Sequence, residues 1–256
     1  MDTLPLIIGH RGASKDAPEN TLESFQLAWE QGADGIEADF RLTADNQIIC
    51  MHDETTARTS GVDLEIADST LDRLRSLDVG VGKGAKWGGT RIPTLPEVLA
   101  AVPDGTWFFI EIKSGPEIIV PLEKALLASG VSTARIRLLS FDATLVAELK
   151  RRMPGWRACW LCDFRHSLRQ NVWSPSHEEV LETLRLSSAD GLAGANRDFL
   201  DHYLAKQVKD LGREIHVWTV DRLTDARRLA ALGVDSIMTN RPGWLRNKLF
   251  SDRGGP

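Results

Sequence analysis

The chain has 256 residues, 42% hydrophobic and 26% charged, with a formal net charge of -5. This composition fits one globular domain with a sizeable core and excludes disordered and fibrous classes. The negative balance excludes general attraction to nucleic acid or anionic membrane, so any phosphate recognition must rest on a few locally placed cations.

Cys50, Cys159 and Cys162 are too few for a secreted disulfide scaffold. The N-terminus lacks a basic leader, and the apolar run at 4–8 is far shorter than a membrane span. The expectation is a cytoplasmic protein without stable membrane insertion.

In chain order, 6–9 reads as a first strand, and Thr21 caps a helix that runs to Gln31 and stops at Gly32. Residues 35–43 read as a second strand. Ala44-Asp45-Asn46-Gln47 then supplies turn chemistry, and 48–52 returns as the other arm of a hairpin. From 53 to 96 the pattern loosens, with Gly80, Gly82, Gly84, Gly88 and Gly89 clustered around Lys83, Lys86 and Trp87. Such a stretch predicts an insertion over the mouth of the fold rather than a regular element. Strand character resumes at 107–113, 136–140, 158–161, 189–192, 215–220 and 236–239, with helices predicted at 117–128, 142–152, 178–184, 199–211 and 224–232.

This alternation is that of an α/β protein. The strand count is eight or nine, depending on whether one or both hairpin arms are included. With the chain length, it predicts a single β/α (TIM-like) barrel over 1–250 and a short tail at 251–256. An open dinucleotide-binding sheet is disfavoured, because the first strand runs into Gly9-His10-Arg11-Gly12, which lacks the spaced glycines that cradle a dinucleotide.

Strand side chains alternate faces, so Glu37, Asp39 and Arg41 share one side of the second strand. With Asp45 and Asn46 as the hairpin tip, Asp39 falls opposite His52, which brings an imidazole to the carboxylate side. Glu111 and Lys113 share one side of a later strand. Three carboxylates converging in a barrel are costly to bury unpaired and point to a hard divalent cation, Mg or Ca; a zinc site is poorly served by the Cys and His spacing. Arg11 and Lys113 can neutralise phosphate charge, while His10 and His52 titrate in the range needed for proton transfer. Cys159-Trp-Leu-Cys162 looks like a redox pair, but in a strand this spacing sends the thiols to opposite faces.

Taken together, His10-Arg11-Gly12, Pro18-Glu19-Asn20-Thr21, Glu37-x-Asp39, His52-Asp53 and Glu111-Ile112-Lys113 resemble the glycerophosphodiester phosphodiesterases in order and spacing. The likeness continues through Arg91-Ile92-Pro93-Thr94-Leu95, Ser140-Phe141, Val217-Trp218-Thr219-Val220, Gly233-Val234-Asp235 and Thr239-Asn240-Arg241-Pro242. It implies a β/α barrel with Glu37, Asp39 and Glu111 as metal ligands, His10 and His52 as the acid-base pair, and Arg11 on the phosphate. It also implies that the segment between His52 and the Glu111 strand shapes the substrate pocket, with Lys83, Lys86 and Trp87 as candidates. Lys113 and Trp218 complete the expected substrate contacts, with Trp218 equally able to pack the barrel, and Glu19 is expected to order its loop or to join the metal shell. The implied reaction is cation-dependent hydrolysis of a small-molecule glycerophosphodiester to glycerol 3-phosphate and an alcohol. A barrel that only binds phosphodiesters would be expected to lack one of the two histidines or three carboxylates, and all five are present.

Overall fold

The structure of the protein, a computed structural model, describes residues 4–251. Its strands are β1 (Leu6–His10), β2 (Gly35–Leu42), β3 (Ile48–Cys50), β4 (Trp107–Ile112), β5 (Ile136–Ser140), β6 (Arg157–Cys162), β7 (Arg165–Ser167), β8 (Val172–Ser174), β9 (Gly191–Ala195), β10 (Glu214–Trp218) and β11 (Ser236–Thr239). Eight of them, β1-β2-β4-β5-β6-β9-β10-β11, pair in that order and close through β1 and β11 into a parallel barrel. β3 pairs antiparallel with β2 outside the closure, and β7 and β8 form a separate hairpin.

Neighbouring residues of one strand serve two cores, because the pleat sends them to opposite faces. Ile8, Phe109, Leu139, Cys159, Leu161, Ala193 and Met238 fill the barrel interior. Ile7, Phe108, Leu138, Leu192 and Ile237 pack outward into the layer shared with the helices. Each such buried side chain contributes roughly 1.5–3 kcal/mol of transfer free energy. Cys159 and Cys162 divide between the two layers, as the strand spacing requires.

The outer helices are α1 (Leu22–Glu30), α4 (Leu95–Ala101), α5 (Ile119–Ser129), α6 (Ala143–Arg152), α7 (His177–Leu186), α8 (His202–Asp210), α9 (Leu223–Ala231) and α10 (Pro242–Ser251), with α2 (Ala57–Ser60) and α3 (Leu71–Arg75) in the insertion. Their starts are chemically marked. Thr21, Thr94 and Ser176 form capping boxes, while Asp142 and Asp201 cap through their carboxylates. Among the described residues, no helix is long and apolar enough to cross a membrane.

The hairpin register differs from the sequence expectation. Thr43 N donates to Gln47 O at 2.9 Å, and Asn46 sits at φ 57, so the turn holds the three residues 44–46 instead of a two-residue tip. That extra residue slides the ladder by one place, pairing Phe40 with Cys50 and Asp39 with Met51. His52 therefore lies beyond the ladder.

The strand expected at 189–192 forms at Gly191–Ala195, where small residues carry little strand propensity of their own and pairing with β6 and β10 decides the boundary. α10 was not anticipated, and it extends to Ser251, the first residue of the expected tail; 252–256 lie outside the described residues. The segment expected as an insertion packs Ile66, Leu74, Val79 and Ile92 against Ile49 and Met51 of the β3 arm in a small separate core. Lys83 Nζ donates to the Ser14 carbonyl, which holds this segment against the loop that follows β1.

Candidate active site

The C-terminal ends of β1, β2 and β4 meet at one point of the barrel rim. Parallel pairing puts His10 beside Glu37 and Asp39 beside Glu111. The chain then turns sharply. Arg11 adopts φ 54 and Gly12 φ 80, and a Cβ on Gly12 would lie 2.4 Å from Ser24 Oγ, so only glycine fits there. The turn aims the Arg11 backbone N–H at Glu37 Oε2, at 3.0 Å, and its side chain across the rim.

Glu37, Asp39 and Glu111 are 1%, 1% and 7% exposed. Each offers an oxygen within 4.8 Å of the others. Among the described residues, Glu37 Oε1 is buried without a hydrogen-bond partner. Arg11 Nε lies 3.1 Å from Asp39 Oδ2, while Lys113 Nζ lies 3.2 Å from Asp39 Oδ1 and also pairs with Glu111 Oε1. Asn20 holds Asp39 from both sides, donating from Nδ2 to Oδ2 at 2.9 Å and accepting the Asp39 N–H at 3.1 Å.

The charges are out of balance, three acids against two bases. Burial would raise Asp39, but Arg11 and Lys113 outweigh it and hold that carboxyl below its ordinary value. Glu37 is pushed well up by burial and by its acidic neighbours, and Glu111 is pushed up to about 7 by burial and Asp39. A divalent cation at this point would restore the balance, and an all-oxygen donor set with an unpaired buried oxygen suits magnesium or calcium.

Both histidines have their Nδ1 engaged. His10 Nδ1 lies 2.9 Å from Asn240 Oδ1. Because the Asn240 amide nitrogen donates to Asp221 Oδ2 at 2.6 Å, the oxygen faces the ring and His10 must donate from Nδ1. Its Nε2 is left free on the carboxylate side, 3.9 Å from Glu37 Oε2. His52 Nδ1 donates to Asp53 Oδ1 at 2.7 Å, which likewise frees Nε2. Burial, with the Arg11 charge adding to it, lowers His10; burial is also the largest influence lowering His52. The structure thus joins His10, Arg11, Glu37, Asp39, Glu111 and Lys113 directly, with His52 arriving from the loop after β3, where Arg41 clamps its carbonyl at 2.9 and 3.0 Å.

A family model described as glycerophosphoryl diester phosphodiesterase matches residues 10–244. The chain belongs to this family. It is accordingly a phosphodiesterase. A glycerophosphodiester phosphodiesterase of Caldanaerobacter subterraneus subsp. tengcongensis is 34% identical over 254 residues, covering 94% of this chain and 96% of the relative. Among solved structures, an Oleispira antarctica phosphodiesterase in complex with the product sn-glycerol-3-phosphate superposes with a TM-score of 0.82 at 26% identity, covering 95% of this chain and 96% of that one. A putative glycerophosphoryl diester phosphodiesterase from Silicibacter pomeroyi gives a TM-score of 0.86 at 25% identity, covering 98% and 95%.

Further round the rim of this family member, Trp218 is half-buried, donates to the Ala193 carbonyl at 2.8 Å and meets Phe141 edge-on with ring centroids 5.5 Å apart. Lys86 stands over the Trp87 ring at 4.6 Å, a contact internal to the insertion. Sequence reasoning missed the supports. The Asn20 bridge and the Asp221 carboxylate behind Asn240 join residues 19 apart, and the Arg58 guanidinium behind Asp53 joins a loop to a short helix; the motifs marked Asn20, Asp53 and Asn240, but nothing marked Asp221 or Arg58.

Proposed function

We propose that the protein hydrolyses glycerophosphodiesters to glycerol 3-phosphate and an alcohol with a divalent cation, magnesium or calcium, held by Glu37, Asp39 and Glu111. The observation that carries this reading is the buried carboxylate trio with its unpaired Glu37 oxygen, flanked by two cationic and two imidazole side chains. When bound, the cation polarises a phosphoryl oxygen as a Lewis acid.

The chain's own groups supply the rest. Arg11 and Lys113 bind the phosphate and offset the charge that grows on it in the transition state. His10 and His52, each fixed in the Nδ1–H tautomer, present Nε2 to the phosphorus from the rim. One takes the proton of the attacking group, either water or the neighbouring glycerol hydroxyl, whose attack forms a cyclic phosphate that water then opens, and the other returns a proton to the leaving alkoxide. Their lowered values favour the neutral, base-ready ring. An arriving anionic phosphodiester favours protonation of the ring that acts as acid. Trp218, with Phe141, walls the glycerol. We further propose that the enzyme works in the cytoplasm on a small soluble substrate, without nucleic acid or stable membrane insertion.

The test is glycerol 3-phosphate release from glycerophosphocholine and glycerophosphoethanolamine, with magnesium or calcium, with chelator, and with His10→Ala and His52→Ala. Each histidine variant should lose about 10²- to 10⁴-fold in kcat. Activity that survives chelation or either substitution would refute the mechanism. No release by folded, cation-loaded protein would refute the substrate.

A further inference from the structure

Arg58 stands outside the barrel, in the four-residue helix α2, and the mechanism above makes no use of it. Its guanidinium nevertheless spans two acids, each of which holds one reacting group. Nε donates to Asp53 Oδ2 at 2.6 Å, while Nη1 and Nη2 form a fork on Glu19 Oε2 and Oε1 at 2.9 and 2.7 Å. The remaining oxygen of Asp53 accepts from His52 Nδ1 at 2.7 Å. Glu19 Oε1 also accepts from Arg11 Nη1 at 2.9 Å, and Arg11 continues to Asp39. An unbroken line of charged and hydrogen-bonded groups therefore runs from His52 through Asp53, Arg58, Glu19 and Arg11 to Asp39.

We propose that Arg58 is a positioning residue, a strut from the insertion that fixes His52 and Arg11 relative to one another. The inference rests on the roles given to those two residues under the proposed function. The geometry requires arginine: three N–H groups in one plane address three oxygens on two different carboxylates, whereas a lysine ammonium is a point charge on a flexible stem. Without the strut, Asp53 keeps only His52 as hydrogen-bond partner among the described residues and can rotate, so the imidazole loses its fixed tautomer. Among the described residues Glu19 then keeps only Arg11, and Arg11 gains freedom to swing off the phosphate. Since Arg58 is 48% exposed, its ion pairs add little to stability and their consequence is geometric. The insertion, then, helps to complete the catalytic site as well as covering it.

Kinetics on the full-length, cation-loaded enzyme test this. Arg58→Met should lower kcat/KM by about 10- to 100-fold through both a lower kcat and a higher KM, while the melting temperature moves by no more than about 4 °C. Asp53→Asn should act mainly on kcat and Glu19→Gln mainly on KM, and Arg58→Met should cost far less when added to a chain carrying both. Arg58→Lys should recover little. Arg75→Met, which breaks a comparably exposed pair with Glu97 at 2.8 Å in the same insertion, should leave kcat and KM unchanged. Nitrogen NMR of His52 gives a readout independent of turnover: a fixed Nδ1–H tautomer in the wild type and a mixture in Arg58→Met. Wild-type kinetics in Arg58→Lys, or an unaltered tautomer in Arg58→Met, would overturn the proposal. An inactive wild type that still shows the tautomer change would sink the proposed function and leave the strut standing.

Discussion

Replacing Glu111 by Gln removes one charge from the carboxylate trio while keeping the side chain's shape. The trio's ligand oxygens lie within 4.8 Å of one another. At that separation two like charges repel by about 3.5 kcal/mol at an effective dielectric of 20. Arg11 and Lys113 oppose three negative charges with two positive ones, so part of the repulsion persists without a cation. Glu111, pushed up to about 7 by burial and Asp39, reports that imbalance. A carboxyl whose folded value exceeds its unfolded value stabilises the fold when protonated, and that advantage fades as pH rises from the ordinary carboxylate range through about 7. The full difference is about 3 kcal/mol. At about 2–4 °C per kcal/mol for a chain of this size, Glu111→Gln should melt about 6–12 °C above the wild type in chelator near pH 8. Cation should reverse the order. At a thousandfold excess over Kd it adds about 4.1 kcal/mol to the wild type, and the variant, short of one ligand, gains far less. Scanning calorimetry with chelator and then with magnesium or calcium measures both shifts. A chelated Gln variant that melts below the wild type would refute the repulsion. Equal cation shifts in the two proteins would refute the trio as the cation site.

At the opposite end of the barrel, burial would raise Glu214, but hydrogen bonds from His216 and Arg137 outweigh it and hold the carboxyl at about 2. A depressed carboxyl contributes stability above its unfolded value and loses it as pH falls, here between about 4.5 and about 2, worth about 1 kcal/mol once its partial exposure is discounted. Glu214→Gln should therefore flatten the acid limb in urea titrations, and an unchanged pH slope would contradict the pairing. Gly35 lies where β2 meets β4, and a Cβ there would sit 2.3 Å from the Trp107 carbonyl oxygen. Gly35→Ala should cost about 1–3 kcal/mol by forcing the strands apart, read as a lower urea midpoint; an unshifted midpoint would show that the pairing has slack.

Local pattern alone made the barrel legible. Alternating strand and helix signals gave its class, and the two-residue period put Glu37 with Asp39 and Glu111 with Lys113 before any contact was known. The order of motifs identified the family. What local pattern could not supply was anything set by register or by contact across the rim. A hairpin turn of two residues and one of three look alike in Ala44-Asp45-Asn46-Gln47, and Asn46 in the left-handed region settles the matter only once both arms pair. His52 reaches the site from a loop for that reason, with Asp53 rather than a strand neighbour fixing its ring. Asp221 behind Asn240, Asn20 on Asp39 and Arg58 between Glu19 and Asp53 join residues remote in the chain, or on separate elements, that have no periodic relation. The sequence by itself determined which groups line the candidate site, because their types and motifs are local. Only the closed barrel decided which groups hold them in place, because a hydrogen bond between distant segments exists only after the strands have set their distance and angle.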